Sequence, residues 1–273
     1  MPKSARTIFI HTALPCEARP LIEHFRLKKD LSSHPFEVHS HDGICLTITG
    51  IGKCAMAAGV AYSQARAGNT DKPILVNVGI AGHADHDLGR VFLAGKIIDA
   101  DARKNYYPPL AFSPPCAVEA VRTGSRPNLD YTEPHLYDME ASAFYETAMR
   151  FSTGELIQCL KVVSDNRQTP AEQIHPKRVA EWIGAQLPVL DALLAELCRL
   201  QNSISTAEPR QLKMLVERFH FTVNERQQLR QQLLRWDCLT EGELLDIDQA
   251  GFRNGKEVLA WLAEQINSID YLL

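Results

Sequence analysis

Strand-like and helix-like segments alternate along about the first two hundred residues, and few folds accept that pattern. Thr7-Ile8-Phe9-Ile10-His11-Thr12-Ala13 is a short run rich in β-formers. Pro15 then opens a helix whose Leu21, Ile22 and Phe25 fall near helical spacing. Two β-rich runs, Phe36 to Ser40 and Ile44 to Thr49, flank His41-Asp42-Gly43, and Asp-Gly in that setting predicts a hairpin. Gly50-Ile51-Gly52-Lys53 is a tight turn, and the small residues from Cys54 to Ala61 let the next helix lie close to a sheet. Ile74-Leu75-Val76-Asn77-Val78 is nearly all apolar, as in a strand covered on both faces. Val91 to Ile98 and Ile157 to Val163 read as further strands. Met139 to Phe151 reads as a helix, and Ala171 to Leu200 as helical with a break near Pro188. The expected architecture is an α/β domain over residues 1–200, a mixed sheet flanked by helices.

The last seventy residues differ. Residues 201–208 are polar and are expected to form a linker. Pro209 to Trp236, a piece over 241–250, and Gly255 to Asn267 read as helices, which makes 209–273 a small all-helical appendage. Arg210, Lys213, Arg218, Arg226, Arg230 and Arg235 crowd its first helix, and Asp237, Glu241, Glu243, Asp246 and Asp248 follow. Either the two sets pair with each other or solvent, or the helix docks a protein partner or nucleic acid. Leu212, Leu215, Val216, Phe219, Leu229, Leu233 and Trp236 give it an apolar face, expected to cover the main domain or another chain.

Composition closes several alternatives. With 45% hydrophobic and 23% charged residues the chain is ordinary globular protein, not disordered. No run approaches the ~20 apolar residues of a membrane helix, and the N-terminus reads as a strand rather than a signal peptide. A net charge of −4 argues against a nucleic-acid partner. The seven cysteines are odd in number and include no CxxC pair, so free thiols in a reducing cytoplasm are expected. His34, His39, His41 and the run His83-Ala84-Asp85-His86-Asp87 offer no nameable third and fourth ligand, so no metal is expected, and no cofactor.

Open α/β sheets bind ligands at the carboxyl ends of their strands. Here those ends carry Pro15-Cys16-Glu17, Gly50-Ile51-Gly52-Lys53, Gly79-Ile80-Ala81-Gly82 and Ser164-Asp165-Asn166. Gly52-Lys53-Cys54 is not a phosphate loop, which needs a hydroxyl after the lysine, and Gly79 to Gly82 is not a dinucleotide fingerprint. Glu17 and Asp165 at separate strand ends are the minimum for acid–base cleavage of a glycosidic-type bond, although a strand-end acid also serves as a helix cap.

Five segments in order resemble the nucleoside phosphorylase/nucleosidase superfamily, and within it the 5′-methylthioadenosine/S-adenosylhomocysteine nucleosidases. They are Ala13-Leu14-Pro15-Cys16-Glu17, Thr49-Gly50-Ile51-Gly52-Lys53, Asn77-Val78-Gly79-Ile80-Ala81-Gly82, Asp138-Met139-Glu140-Ala141-Ser142-Ala143 and Val162-Val163-Ser164-Asp165-Asn166. The resemblance implies an enzyme that hydrolyses the N-glycosidic bond of an adenine-type nucleoside, cytoplasmic and homodimeric. It implies that Glu17 activates water and that Asp165, oriented by Ser164, protonates purine N7. Met139 and Glu140 would hold the ribose, and the backbone of Ala81 and Gly82 would lie against the base. For that role Asp165 is expected to stay protonated near neutrality.

The sequence also departs from the pattern. Asn77 and Ile80 stand where phosphorylases of the superfamily place arginine and serine, which favours water over phosphate. The stretch from Asp99 to Asp138, where relatives carry base-stacking residues, is short and proline-rich. Tyr106, Tyr107 and Tyr131 are the stacking candidates there. The rival readings are a phosphate-dependent phosphorylase and a nucleoside-binding module that has lost turnover.

Overall fold

The computed structural model describes residues 8–32, 35–68, 70, 72–128, 130–204, 209–240, 243–246 and 251–270. Thr7, His34, residues 205–208 of the expected linker, and 241–242 and 247–250 of the expected acidic piece lie outside them. The chain divides into two compact units at Ser205/Thr206.

The first unit runs β1 (Ile8–Thr12), α1 (Pro15–His24), β2 (Lys28–Lys29), β3 (Glu37–His41), β4 (Ile44–Ile48), α2 (Lys53–Ala67), β5 (Ile74–Gly82), β6 (Val91–Asp99), β7 (Lys104–Tyr106), β8 (Ala117–Thr123), β9 (Leu136–Asp138), α3 (Ala141–Ala148), β10 (Ile157–Asp165), α4 (Pro176–Ala185) and α5 (Leu187–Ile204). All the strands join one mixed sheet. Five of them close a circuit: β5 pairs with β10, β10 with β6, β6 with β8, β8 with β9, and β9 returns to β5 through Gly82 and Tyr137. From β5 the sheet continues as an open wing through β1, β4, β3 and β2. The β3–β4 hairpin turns at Asp42 and Gly43, both with positive φ (43° and 82°), as a tight primed turn requires.

Both faces of the sheet are covered, which is why its central strands lack polar alternation. Ile10, Val76 and Val78 point with Leu21, Val179, Ile183 and Leu193 into the core beneath α1, α4 and α5. Phe9 and Leu75 point the other way, with Met56, Val60 and Phe144 of α2 and α3. Adjacent strand residues thus serve opposite cores, as the twofold pleat demands.

One expectation for this unit is corrected. Gln201–Ile204 of the expected linker form the last turn of α5, because Gln201 reaches back to the Lys72 carbonyl (2.7 Å) and Ile204 packs on the core. The proline-rich stretch contains β7, β8 and β9.

The second unit holds α6 (Leu212–Arg218), α7 (Val223–Leu239) and α8 (Gly255–Asp270). The single helix expected over 209–236 is interrupted because Thr222 starts a new one. Its hydroxyl accepts from Glu225 N (3.3 Å) and the Glu225 carboxylate accepts from Thr222 N (2.8 Å). The break lets Leu212, Leu215, Leu229 and Leu233 meet Val258, Leu259, Leu262 and Ile266 of α8. The apolar face expected to cover the main domain or another chain is therefore covered inside its own unit.

Candidate active site

The site is assembled from strand ends, and local chemistry explains each placement. Glu17 is the third residue of α1, where a carboxylate folds back on the orphaned amides of the helix start. Its Oε2 accepts from Ala13 N (2.9 Å) and Leu14 N (2.8 Å), and its Oε1 accepts from Ile80 N (2.9 Å) at the end of β5. The Ile80 contact is made by backbone and does not depend on which side chain stands there. Asp138 ends β9 and caps α3, accepting from Ala141 N (2.8 Å). That cap starts the helix at Ala141, two residues later than the periodicity suggested, and leaves Met139 and Glu140 on the lead-in. Glu140 then accepts from Gly52 N (2.7 Å) at the head of α2.

At the end of β10 the register with β5 shifts between Val163 and Asp165. Such a bulge re-aims side chains. Ser164 Oγ donates to Asp165 Oδ1 (2.5 Å), and the Tyr131 phenol donates to Asp165 Oδ2. Gly82 lies directly beneath: a Cβ there would stand 2.4 Å from Asp165 Oδ2 and 2.9 Å from the Tyr131 ring, so only glycine fits.

All seven residues singled out in the sequence, Glu17, Ala81, Gly82, Met139, Glu140, Ser164 and Asp165, line one cavity of about 260 Å³. Ile51, Pro127, Asn128, Tyr137 and Ile174 complete much of its wall. Among the described residues no arginine or lysine lines it. A wider polar hollow of about 380 Å³ shares Pro127, Asn128, Tyr137 and Asp138 with it but holds none of the seven.

Two stacking candidates are not at the cavity. Tyr106 lies on β7, its ring tilted against Tyr145 (5.7 Å), because β7 pairs with β6. Tyr107 is 63% exposed, with the Lys96 ammonium over its ring. The third, Tyr131, is buried and meets Asp165 through its hydroxyl. Among the described residues no three metal-binding side chains gather.

The structure adds a pair that sequence reasoning missed. Lys161 Nζ lies 2.8 Å from Asp138 Oδ2, with both side chains almost wholly buried. Burial alone would lower the Lys161 ammonium, but Asp138 and Glu140 outweigh it and hold it above its ordinary value. The readable signal was a lone lysine inside Ile157–Asp165, a strand in which every residue is buried. Burial raises the Glu17 carboxyl against the pull of the Leu14 and Ile80 amides and of Lys161. Burial, and then Asp138, push the Glu140 carboxyl up to about 7. The cavity thus holds two carboxyls raised above their ordinary values, Glu17 and Glu140, beside a permanent cation.

The chain has the nucleoside phosphorylase/nucleosidase fold. Solved structures with this fold that it resembles are 5′-methylthioadenosine and 5′-methylthioadenosine/S-adenosylhomocysteine nucleosidases. The apo 5′-methylthioadenosine nucleosidase of Arabidopsis thaliana matches with a TM-score of 0.56 and 19% identity over 71% of this chain and 97% of its own. A Helicobacter pylori nucleosidase mutant holding 5′-methylthioadenosine in its active site matches at 0.53 and 14%, over 71% of this chain and 100% of its own. The Colwellia psychrerythraea enzyme in complex with adenine matches at 0.51 and 17%, over 68% and 94%. No protein-family profile matches the sequence, and no curated protein matches it.

Proposed function

We propose that the protein is a purine nucleosidase, cleaving the N-glycosidic bond of an adenine-type nucleoside of the methylthioadenosine/adenosylhomocysteine kind with water. The observation that carries this reading is that Glu17, Glu140 and Asp165 share one cavity. Breaking such a bond sends its electron pair to the heterocycle and leaves positive charge on the sugar. Glu140, fixed by the Gly52 amide, accepts the ribose hydroxyls while Met139 packs on the sugar. Asp165 gives its proton to N7 of the departing base. Glu17, its carboxyl raised by burial, takes a proton from the water whose oxygen bonds to the anomeric carbon. Lys161 and Asp138 fix the field beneath these acids.

A cavity without arginine favours water over phosphate as the attacking group, since phosphate binding draws on bidentate guanidinium. Assembly as a homodimer in the cytoplasm belongs to the same proposal; light scattering of the purified protein checks the first and cell fractionation the second. The decisive assay incubates the protein with methylthioadenosine, adenosylhomocysteine, adenosine, inosine and futalosine, with and without phosphate. Free base without phosphate is expected, with a loss of ~10²–10⁴ in Glu17→Gln and in Asp165→Asn. Strict phosphate dependence would make the protein a phosphorylase. Binding without any product would make it a binding module.

A further inference from the structure

Tyr131 belongs to none of the five motif segments, yet it touches the proposed acid directly. Its backbone sits at φ 41°, a left-handed conformation rare for an aromatic residue. Such strain persists only where the surroundings over-determine it, and here they do. Asn128 Oδ1 accepts from Tyr131 N (3.1 Å), Arg167 Nη2 donates to the Tyr131 carbonyl (3.1 Å), and the ring meets Tyr137 edge-on at 5.9 Å. Arg167 is itself held by Asp85 (2.9 Å). The residue is 3% exposed. This scaffold delivers one hydroxyl to Asp165 Oδ2, while Ser164 Oγ takes Oδ1.

We propose that Tyr131 is a positioning residue whose phenol, together with Ser164, holds the Asp165 carboxyl and stabilises the anion left once Asp165 has given its proton to the departing base. The inference rests on the nucleosidase reading above. In the step concerned, the bond from the anomeric carbon to the purine nitrogen breaks and its electron pair goes to the heterocycle. The Asp165 proton moves to N7, water oxygen bonds to the anomeric carbon, and the water proton moves to Glu17. Asp165 ends as a carboxylate facing two hydroxyl donors, and solvent afterwards returns its proton and takes the one on Glu17. Hydrogen bonds to a charged acceptor are about twice as strong as neutral ones, so the phenol gains strength as the reaction proceeds. A contact that strengthens during the reaction raises kcat and leaves substrate binding largely alone.

The test is Tyr131→Phe, which removes one oxygen. kcat is expected to fall about 10- to 100-fold, the size of one hydrogen bond to a charged group, with KM within twofold of wild type. Because Tyr131 acts through Asp165, the double variant Tyr131→Phe/Asp165→Asn should be no slower than Asp165→Asn alone. 3-Fluorotyrosine at position 131 keeps the shape with a stronger donor and should match or exceed wild-type kcat. Unchanged kcat in Tyr131→Phe overturns the inference, as does a loss that multiplies with that of Asp165→Asn. If Tyr131→Phe does not fold, the fluorotyrosine protein decides, and a fall in its kcat counts against the proposal. A wild-type protein that releases no base removes the nucleosidase reading and this inference together; an active wild type with an indifferent Tyr131→Phe removes only the inference.

Discussion

Both units have apolar cores, but among the described residues only the first also buries polar and charged side chains. Among the described residues, every buried polar or charged side chain lies between His11 and Asn166, in the first unit. The core of the second is leucine, isoleucine and valine from α6, α7, α8 and Leu245. Burial of apolar side chains explains the second interior completely, since that is what stabilises small helical units. It leaves the buried polar and charged groups of the first unexplained. Buried charge costs stability unless each member is paired, and even a good pair seldom improves on apolar packing. Glu17, Glu140, Asp165, Asp138 and Lys161 all stand at the cavity or directly beneath it; of the buried aspartate, glutamate and lysine side chains among the described residues, Asp99 alone stands elsewhere, so buried charge is concentrated where chemistry is proposed.

The largest effect that would break this comparison is expected from Lys161→Met. The substitution is close in volume but strands Asp138 in the core, and removing one member of a buried pair costs about 3–5 kcal/mol. Urea unfolding should report it. A cost near that of an ordinary core swap would mean that the first interior is no more electrostatic than the second. The counterpart in the second unit is Leu262→Ala. Leu262 is 0% exposed, and deleting a buried leucine side chain costs about 2–5 kcal/mol. Hydrogen exchange should accelerate for the amides of 209–270 while those of β5 and β10 keep their protection. Acceleration in both units would show that the two interiors are not independent.

The units also differed in how much of them could be read beforehand. In the first, the strand from Ile74, the strand ending in Asp165 and the turn before α2 were legible, because motif residues sit where local rules place them. β9 was not. It is three residues long and joins β5 through one pair, Gly82 with Tyr137, a contact between distant segments that no local pattern encodes. Tyr131 was legible only as an aromatic residue; its role depends on a positive φ and on contacts with Asn128, Arg167 and Asp165. Lys161 could have been found, since a lysine set between Cys159-Leu160 and Val162-Val163 in a strand must meet an acid if that strand is buried. In the second unit the helices were legible from composition but their arrangement was not. The Thr222 to Glu225 capping box stands in the sequence, and weighing it would have split the expected long helix and returned its apolar face to its own unit.

The smallest effect is the one that isolates a single acid. Folding raises the Glu140 carboxyl from 4.5 to about 7, chiefly through burial and then through Asp138. The folded state therefore binds this proton more tightly than the unfolded chain does. Between those two values the folded protein keeps a proton that the unfolded chain has lost, so each step up in pH favours unfolding at this site. Its contribution is fully present below about pH 4.5 and has gone once the pH has passed about 7. Glu140→Gln has no proton to lose. Relative to that variant, wild-type Tm should decline by a few degrees as the pH rises through this window and run parallel above it. Titrating groups away from the cavity cancel in the difference between the two proteins. A difference that stays flat from pH 4.5 to 7 would mean that the Glu140 carboxylate is as well accommodated in the cavity as in water. The first unit would then carry one fewer strained charge, and the contrast with the apolar second unit would rest on its remaining buried charges, Lys161, Asp138 and Glu17 first among them.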